Sequence, residues 1–238
     1  LNSVIKSIKK TKELKPDTLI KFQVIDDNSK DENLKKLKDL INTHSIECEI
    51  INHDKREHKE KIADKNNQET FGNLSSLLKC FEVAKKDQSD LIYFVEDDYL
   101  HYEHSLVDML NTYERVSSQH KDEIIVCPSD YPFNYMNNEK TNILIGSQQH
   151  WRTITKMLCT FMISKKMFQK HIDNFEKTCE KRHEPFEKYL NKILESEIGI
   201  SPVKSLAIHM TNVNSSYGLP PFIDIKKLWE ENKIDKRQ

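Results

Sequence analysis

The apolar positions of this chain fall into short runs whose period changes from helix-like to strand-like and back. Leu1, Val4, Ile5 and Ile8 lie on one helical stripe within residues 1–13, and Pro16-Asp17 ends it. Residues 19–25 are β-rich and close on Asp26-Asp27-Asn28-Ser29. Leu34, Leu37, Leu40 and Ile41 predict a helix over 31–41, and residues 46–51 alternate as a strand. Residues 52–70 carry no periodicity and read as a loop or mobile excursion. Asn73 then reads as the N-cap of a helix bearing Leu74, Leu77, Leu78, Phe81 and Ala84. Leu91-Ile92-Tyr93-Phe94-Val95 is almost wholly apolar, the pattern of a central strand covered on both faces. It ends in Glu96-Asp97-Asp98, and a helix is expected from about residue 104 to 117.

The second half has more strands. Residues 124–127 read as a strand leading to Pro128-Ser129-Asp130-Tyr131-Pro132, and 143–146 and 153–163 as two more. Ser164 is read as the cap of a helix reaching Phe175, and a second helix is expected over about 185–195. A strand over 205–209, a loop carrying Gly218 and Pro220-Pro221, and a short helix over 224–232 complete the pattern. Strands alternating with helices predict an α/β fold with a mainly parallel sheet flanked by helices. No linker interrupts the pattern, so residues 1–238 read as one domain.

Composition narrows the chemistry. The 37 Lys and Arg balance 38 Asp and Glu, and they are interleaved, so no electrostatic pull toward nucleic acid is expected. No apolar run reaches the roughly 18 residues that span a bilayer. Five cysteines, odd in number and without a C-x-x-C pair, argue against a disulfide framework or a structural zinc site, and imply a reducing, cytoplasmic setting. Only four glycines occur, against about seventeen at average usage, and none forms a G-x-G-x-x-G or G-x-x-x-x-G-K pattern. A phosphate cradle of the glycine-loop kind is thereby excluded. A nucleotide would need a divalent cation held by carboxylates instead.

Two acidic groups stand at expected strand ends, where open α/β sheets place ligands. Asp26 and Asp27 can accept hydrogen bonds from a base or ribose, or can merely turn the chain and cap the next helix. Glu96, Asp97 and Asp98 repel one another unless a cation or donors intervene, although a following helix N-terminus would also tolerate them. His101 and His104 read as surface residues, and His209 ends a late strand. Asp130, Trp151 and Arg152 are candidates for contact with an acceptor or a phosphate, with Trp151 in the core as the other reading.

The stretches V-I-D-D-N-S-K-D at 24–31 and L-I-Y-F-V-E-D-D-Y at 91–99, with the helix N-L-S-S-L-L-K-C-F-E-V-A-K-K between them, resemble the family 2 glycosyltransferases of the GT-A fold. The resemblance covers the first half well and the second in outline. It implies a Rossmann-like fold, with a nucleotide-binding half at about 1–125 and an acceptor half at about 126–238. It also implies transfer of a hexosyl or related sugar from a nucleotide-sugar donor, a UDP-sugar first, to a glycan or glycolipid in polysaccharide biosynthesis. The cofactor would be Mn2+ or Mg2+. Asp27 would then contact the base with Asp26 beside it, and Asp97 the ribose or a metal-bound water. Asp98 would be the direct metal ligand, with Glu96 opening the E-x-D form of the family motif and His209 completing the shell. Glu184, or next Glu187, would be the base of an inverting reaction, at the start of the helix after the acceptor strands, although Glu184 before Pro185 can also simply cap that helix. The family's first strand would lie upstream of Leu1. The location implied is cytoplasmic, with peripheral association at the inner face of a membrane. Two other readings have different consequences: a GT-A-fold protein that binds without catalysis, and a receiver-like signalling module suggested by V-I-D-D-N. In receivers, however, the phosphoacceptor follows the early acids at shorter spacing than the roughly seventy residues found here.

Overall fold

The computed structural model describes residues 1–136, 138–211, 219–221 and 223–234. The elements in chain order begin with α1 (Asn2–Leu14), β1 (Gln23–Asp26), α2 (Asp31–Thr43), β2 (Glu49–Asn52), α3 (Gln68–Lys86), β3 (Leu91–Phe94), β4 (Tyr99–His101) and α4 (Ser105–His120). They continue with β5 (Ile124–Val126), β6 (Ile143–Ile145), β7 (His150–Ile154), β8 (Phe161–Ser164), α5 (Lys165–Lys170), α6 (Ile172–Glu180), α7 (Lys188–Ile193), β9 (Ile198–Pro202), β10 (Ala207–His209) and α8 (Ile225–Asn232). These fall into two compact units that interleave along the chain. The first takes residues 1–19, 93–163 and 197–238, and the second takes 20–92 and 164–196.

The fold is mixed α/β. A six-stranded sheet runs in the order β3-β8-β5-β9-β7-β6. Within it β5 and β9 are parallel, but β5–β8, β7–β9 and β6–β7 are antiparallel. The mainly parallel sheet expected from alternating elements is therefore not what these pairings form. Part of the reason lies in the second half, where β6 and β7 follow one another without an intervening helix and so can pair as an antiparallel hairpin. The apolar run at 91–94 does not become a central strand: β3 stands at one end of the sheet and is largely half-buried. The expected strand over 153–163 splits into β7 and β8, because the chain turns outward at exposed Thr155 and Lys156 before Met157 and Cys159 re-enter the core.

In the first unit, α1 buries Val4, Ile5 and Ile8 as its stripe requires, and packs on α4. Small polar residues share that face, and Ser7 Oγ accepts the first-turn N–H of Leu106 at 2.9 Å. The centre of the sheet is apolar: Ile124, Ile125, Val126, Phe161, Ile163 and Ile200 are all fully buried. β4 and β10 form a separate antiparallel pair with His209 opposite Tyr99. Leu100 and Ile208 of this pair pack against Leu228 of α8.

In the second unit β1 and β2 are parallel, and α3 packs against α6 through Phe81 and Phe175, whose ring centres are 5.1 Å apart. Residues 52–70 are not a structureless excursion. A 3-10 turn, Lys55–His58, is fixed by buried His53 and His58, both at 2.8 Å from Ser75 Oγ on α3. The cap of α3 is Asn67, whose side chain accepts the N–H of Thr70 at 3.0 Å, and Asn73 lies inside the helix. Ser164 caps α5 as expected, accepting the N–H of Met167, but the chain breaks at His171 and continues as α6. The late helix expected over 224–232 forms as α8, with Asp224 as its cap. Gly218 lies outside the described residues.

Candidate metal centre

The strand β3 stops at Phe94, and Asp97-Asp98 occupy the turn that leads directly into β4. Because a strand follows, the acidic triplet does not sit on the N-terminus of a helix, and no helix dipole accounts for it. β4 pairs with β10, so His209 is delivered to the same turn from 111 residues away, and the N–H of Met210 donates to the Asp98 carbonyl at 2.9 Å. One donor atom each from Glu96, Asp98 and His209 then lies within 4.8 Å of the others. All three residues are half-buried, whereas Asp97 is exposed.

The Asp98 carboxylate is held firmly. His209 Nε2 is 2.8 Å from its Oδ2, Thr211 Oγ1 donates to the same oxygen at 2.6 Å, and Oδ1 is buried with no hydrogen-bond partner among the described residues. Burial pushes its pKa up, but the hydrogen bonds from His209 and Thr211 and the nearby imidazole outweigh burial and hold the carboxyl below its ordinary value. The His209 ring stacks on Tyr99, with centroids 4.7 Å apart and planes 12° apart, and Tyr99 is anchored by a 2.6 Å hydroxyl contact with Tyr131. Behind Glu96, its own N–H donates to Thr160 Oγ1 at 3.0 Å.

This donor set fits a small divalent cation. Two ligands each about 2.1 Å from one ion stand at most about 4.2 Å apart, so movements well under 1 Å would close the three donors on it. Two carboxylates with one imidazole suit Mn2+ and tolerate Mg2+. The unpartnered Asp98 Oδ1 is the atom that most needs such a partner, because a buried polar atom left unpaired is costly.

The other candidates are placed as follows. Asp26 is buried at the end of β1, and its Oδ2 accepts the N–H of Ser29 at 3.2 Å, so the turn reading describes it; the cap position of α2 is taken by Lys30. Asp27 is half-buried, and its Oδ2 lies 3.4 Å from where a Cβ on Gly72 would stand, an ordinary contact distance. Glu184 is exposed on an irregular stretch and is not at a helix start, because α7 begins only at Lys188; Pro185 is accordingly not its first residue. Glu187, the second candidate, takes the N-cap position of α7.

Trp151 is fully buried in β7 and offers no platform to an acceptor. Asp130 and Arg152 are both buried and face each other at 3.6 Å, with Tyr135 Oη donating to Asp130 at 2.5 Å and the Arg152 guanidinium 4.2 Å above the Tyr135 ring. Burial raises the Asp130 carboxyl to about 6 against the opposing pull of Tyr135 and Arg152. His101 is buried, not superficial, and its Nε2 is 2.7 Å from Tyr93 Oη, while His104 is exposed.

Sequence reasoning missed Thr211, Thr160 and Tyr99. Thr211 stands two residues beyond His209, the spacing that returns a strand to the same face, and this was the available signal. The sequence matches no protein-family model and no curated protein. Among the described residues no helix is long and apolar enough to cross a membrane.

Proposed function

We propose that this protein is a metal-dependent glycosyltransferase on a GT-A-like α/β fold. It moves a sugar from a nucleoside-diphosphate sugar, with a UDP-sugar as the first candidate, to a glycan or glycolipid acceptor. One observation carries the reading: Glu96 and Asp98 converge with His209 from a distant segment, and the buried Asp98 Oδ1 has no hydrogen-bond partner among the described residues. The acidic signature that supports the family resemblance and the late histidine meet at one turn.

Glu96, Asp98 and His209 would hold Mn2+ or Mg2+, whose charge stabilises a departing nucleoside diphosphate. Thr211 and the Tyr99 ring keep the Asp98 carboxylate and the His209 imidazole in place for that task. Asp97, exposed on the turn, is free to meet a ribose hydroxyl or a metal-bound water. Asp26 and Asp27 are the residues that the resemblance assigns to the base. Glu187, at an N-cap, is better supported than Glu184 as the base of an inverting reaction. Work at the inner face of a membrane on a lipid-linked acceptor is consistent with this reading.

The test is nucleoside-diphosphate release from a panel of nucleotide sugars with Mn2+. Asp98→Ala is expected to lower turnover by about a hundredfold or more, matching removal of a charge stabiliser worth a few kcal/mol, while circular dichroism stays unchanged. Full activity in that variant or in excess EDTA would contradict the proposal.

A further inference from the structure

A second site lies in the first unit, apart from Glu96, Asp98 and His209. Tyr102, His104, Asp108, Gln148, Gln149 and Lys204 line most of a cavity of about 160 Å³. A single water needs only about 10–15 Å³ of such space, so the cavity suits a small ligand better than a single bridging water. Its floor is Asp108, which is 2% exposed. The carboxylate is only loosely satisfied: the Gln148 N–H and Gln149 Nε2 donate at 3.3 Å each, and Thr112 Oγ1 at 3.4 Å. These are longer than the 2.7–3.2 Å usual for such bonds. Burial holds the Asp108 carboxyl above its ordinary value, although Gln149 and Gln148 pull the other way.

The wall opposite is preformed. Gly146 sits so close to the Trp151 ring that an added Cβ would fall 2.1 Å from Cδ1, so the chain there must be glycine. The Ser147 N–H is tied to Thr112 Oγ1 at 3.0 Å, and Gln149 Oε1 accepts the Lys204 N–H at 3.2 Å. Residues 146–149 are therefore fixed in a shape that turns the Gln148 N–H and the Gln149 carboxamide toward a buried carboxylate, with the Gln148 side chain lining the cavity. The groups offered are hydrogen-bonding ones of both senses, a carboxylate, two amides and an imidazole, beside the Tyr102 ring. His104 draws on the Asp108 charge, and the remaining partners are neutral hydrogen-bonding groups, so recognition rests on hydrogen bonds more than on net charge.

We infer that this cavity binds one neutral sugar ring through hydroxyl hydrogen bonds to Asp108, Gln148 and Gln149. As a sugar site it stands alone; as the acceptor subsite of a transferase it rests on the function proposed above. The experiment is saturation-transfer NMR on the whole chain in EDTA. The probes are the methyl glycosides of glucose, galactose and mannose, with glucosamine and glucuronic acid as charged controls. Ring-proton signals are expected from at least one neutral glycoside, with affinity weakened about tenfold or more in Asp108→Ala and in the surface variant Gln148→Ala. Gln148 is exposed, so its variant keeps the test valid where Asp108→Ala fails to fold. Silence from every neutral glycoside, signals that persist in Gln148→Ala, or binding by the charged sugars alone would overturn the inference. Silence here beside intact sugar transfer sinks the pocket and leaves the transferase reading standing; absent transfer beside glycoside binding does the reverse.

Discussion

Asp98 and His209 show which single residues could be read from the sequence and which could not. The triplet Glu96-Asp97-Asp98 stood out because three carboxylates together demand an explanation. His209 was identifiable as a candidate because it ends a strand, but its pairing with Asp98 depends on β4 meeting β10, which no local pattern encodes. Asp108 was invisible, since its distant partners arrive from residues 148–149 and it looks like any acid in the first turn of a helix. Asp130 gives a test at this scale. Its carboxyl is raised to about 6 by burial, so the folded state holds a proton that the unfolded chain has released between about pH 4 and 6. Its contribution to stability is therefore full below about pH 4 and is lost as pH rises through about 6. Urea unfolding at pH 4 and 7 should show that decline, on the order of 2–3 kcal/mol at most, and Asp130→Asn should flatten it. An unchanged pH profile in the variant would show that the pH dependence arises elsewhere.

Elements were legible where one period runs for three turns. The stripe of α1 and the spacing of α2 are both found, within a few residues at each end. Boundaries set by capping chemistry were not. Asn67 and Asn73 are both credible caps before an apolar run, and the structure selects Asn67 because Thr70, Phe71 and Leu74 are buried as one stripe. The two asparagines consequently predict opposite outcomes. Asn67→Ala should cost about 1 kcal/mol in denaturant unfolding, whereas Asn73→Ala, on an exposed interior position, should be neutral or gain up to about 0.7 kcal/mol. Equal losses at both positions would argue against this helix start. The late helix shows the same limit: Pro185 promised a first helical residue, yet α7 starts at Lys188, and Glu184 is left exposed on irregular chain. Strand direction was hidden for a different reason. An apolar run such as 91–94 suits a strand buried in either kind of sheet, and a sequence of short strands reads alike whether they pair parallel or antiparallel.

At the scale of the whole molecule, alternation of strands and helices was enough to establish a mixed α/β fold, while the discontinuous division into two units was not readable. Each unit is assembled from separate stretches of chain, and hydrophobic periodicity says nothing about which stretches rejoin. The scarcity of glycine argues against the glycine-loop route to phosphate, and the grouping of Glu96 with Asp98 and His209 is the one proposed to take its place. The central claim is that this grouping is a cation site serving a nucleotide diphosphate. Thermal unfolding of the wild type and of Asp98→Asn, with Mn2+, UDP, both or neither, tests it most directly. Asparagine keeps the acceptor oxygen for Thr211 and removes the charge. The account predicts that Mn2+ near a hundred times its dissociation constant raises the wild-type midpoint by on the order of 5–10 °C, that UDP adds a further rise only with Mn2+ present, and that Asp98→Asn shows neither. Equal shifts in the variant and the wild type, or a UDP response indifferent to Mn2+, would contradict it.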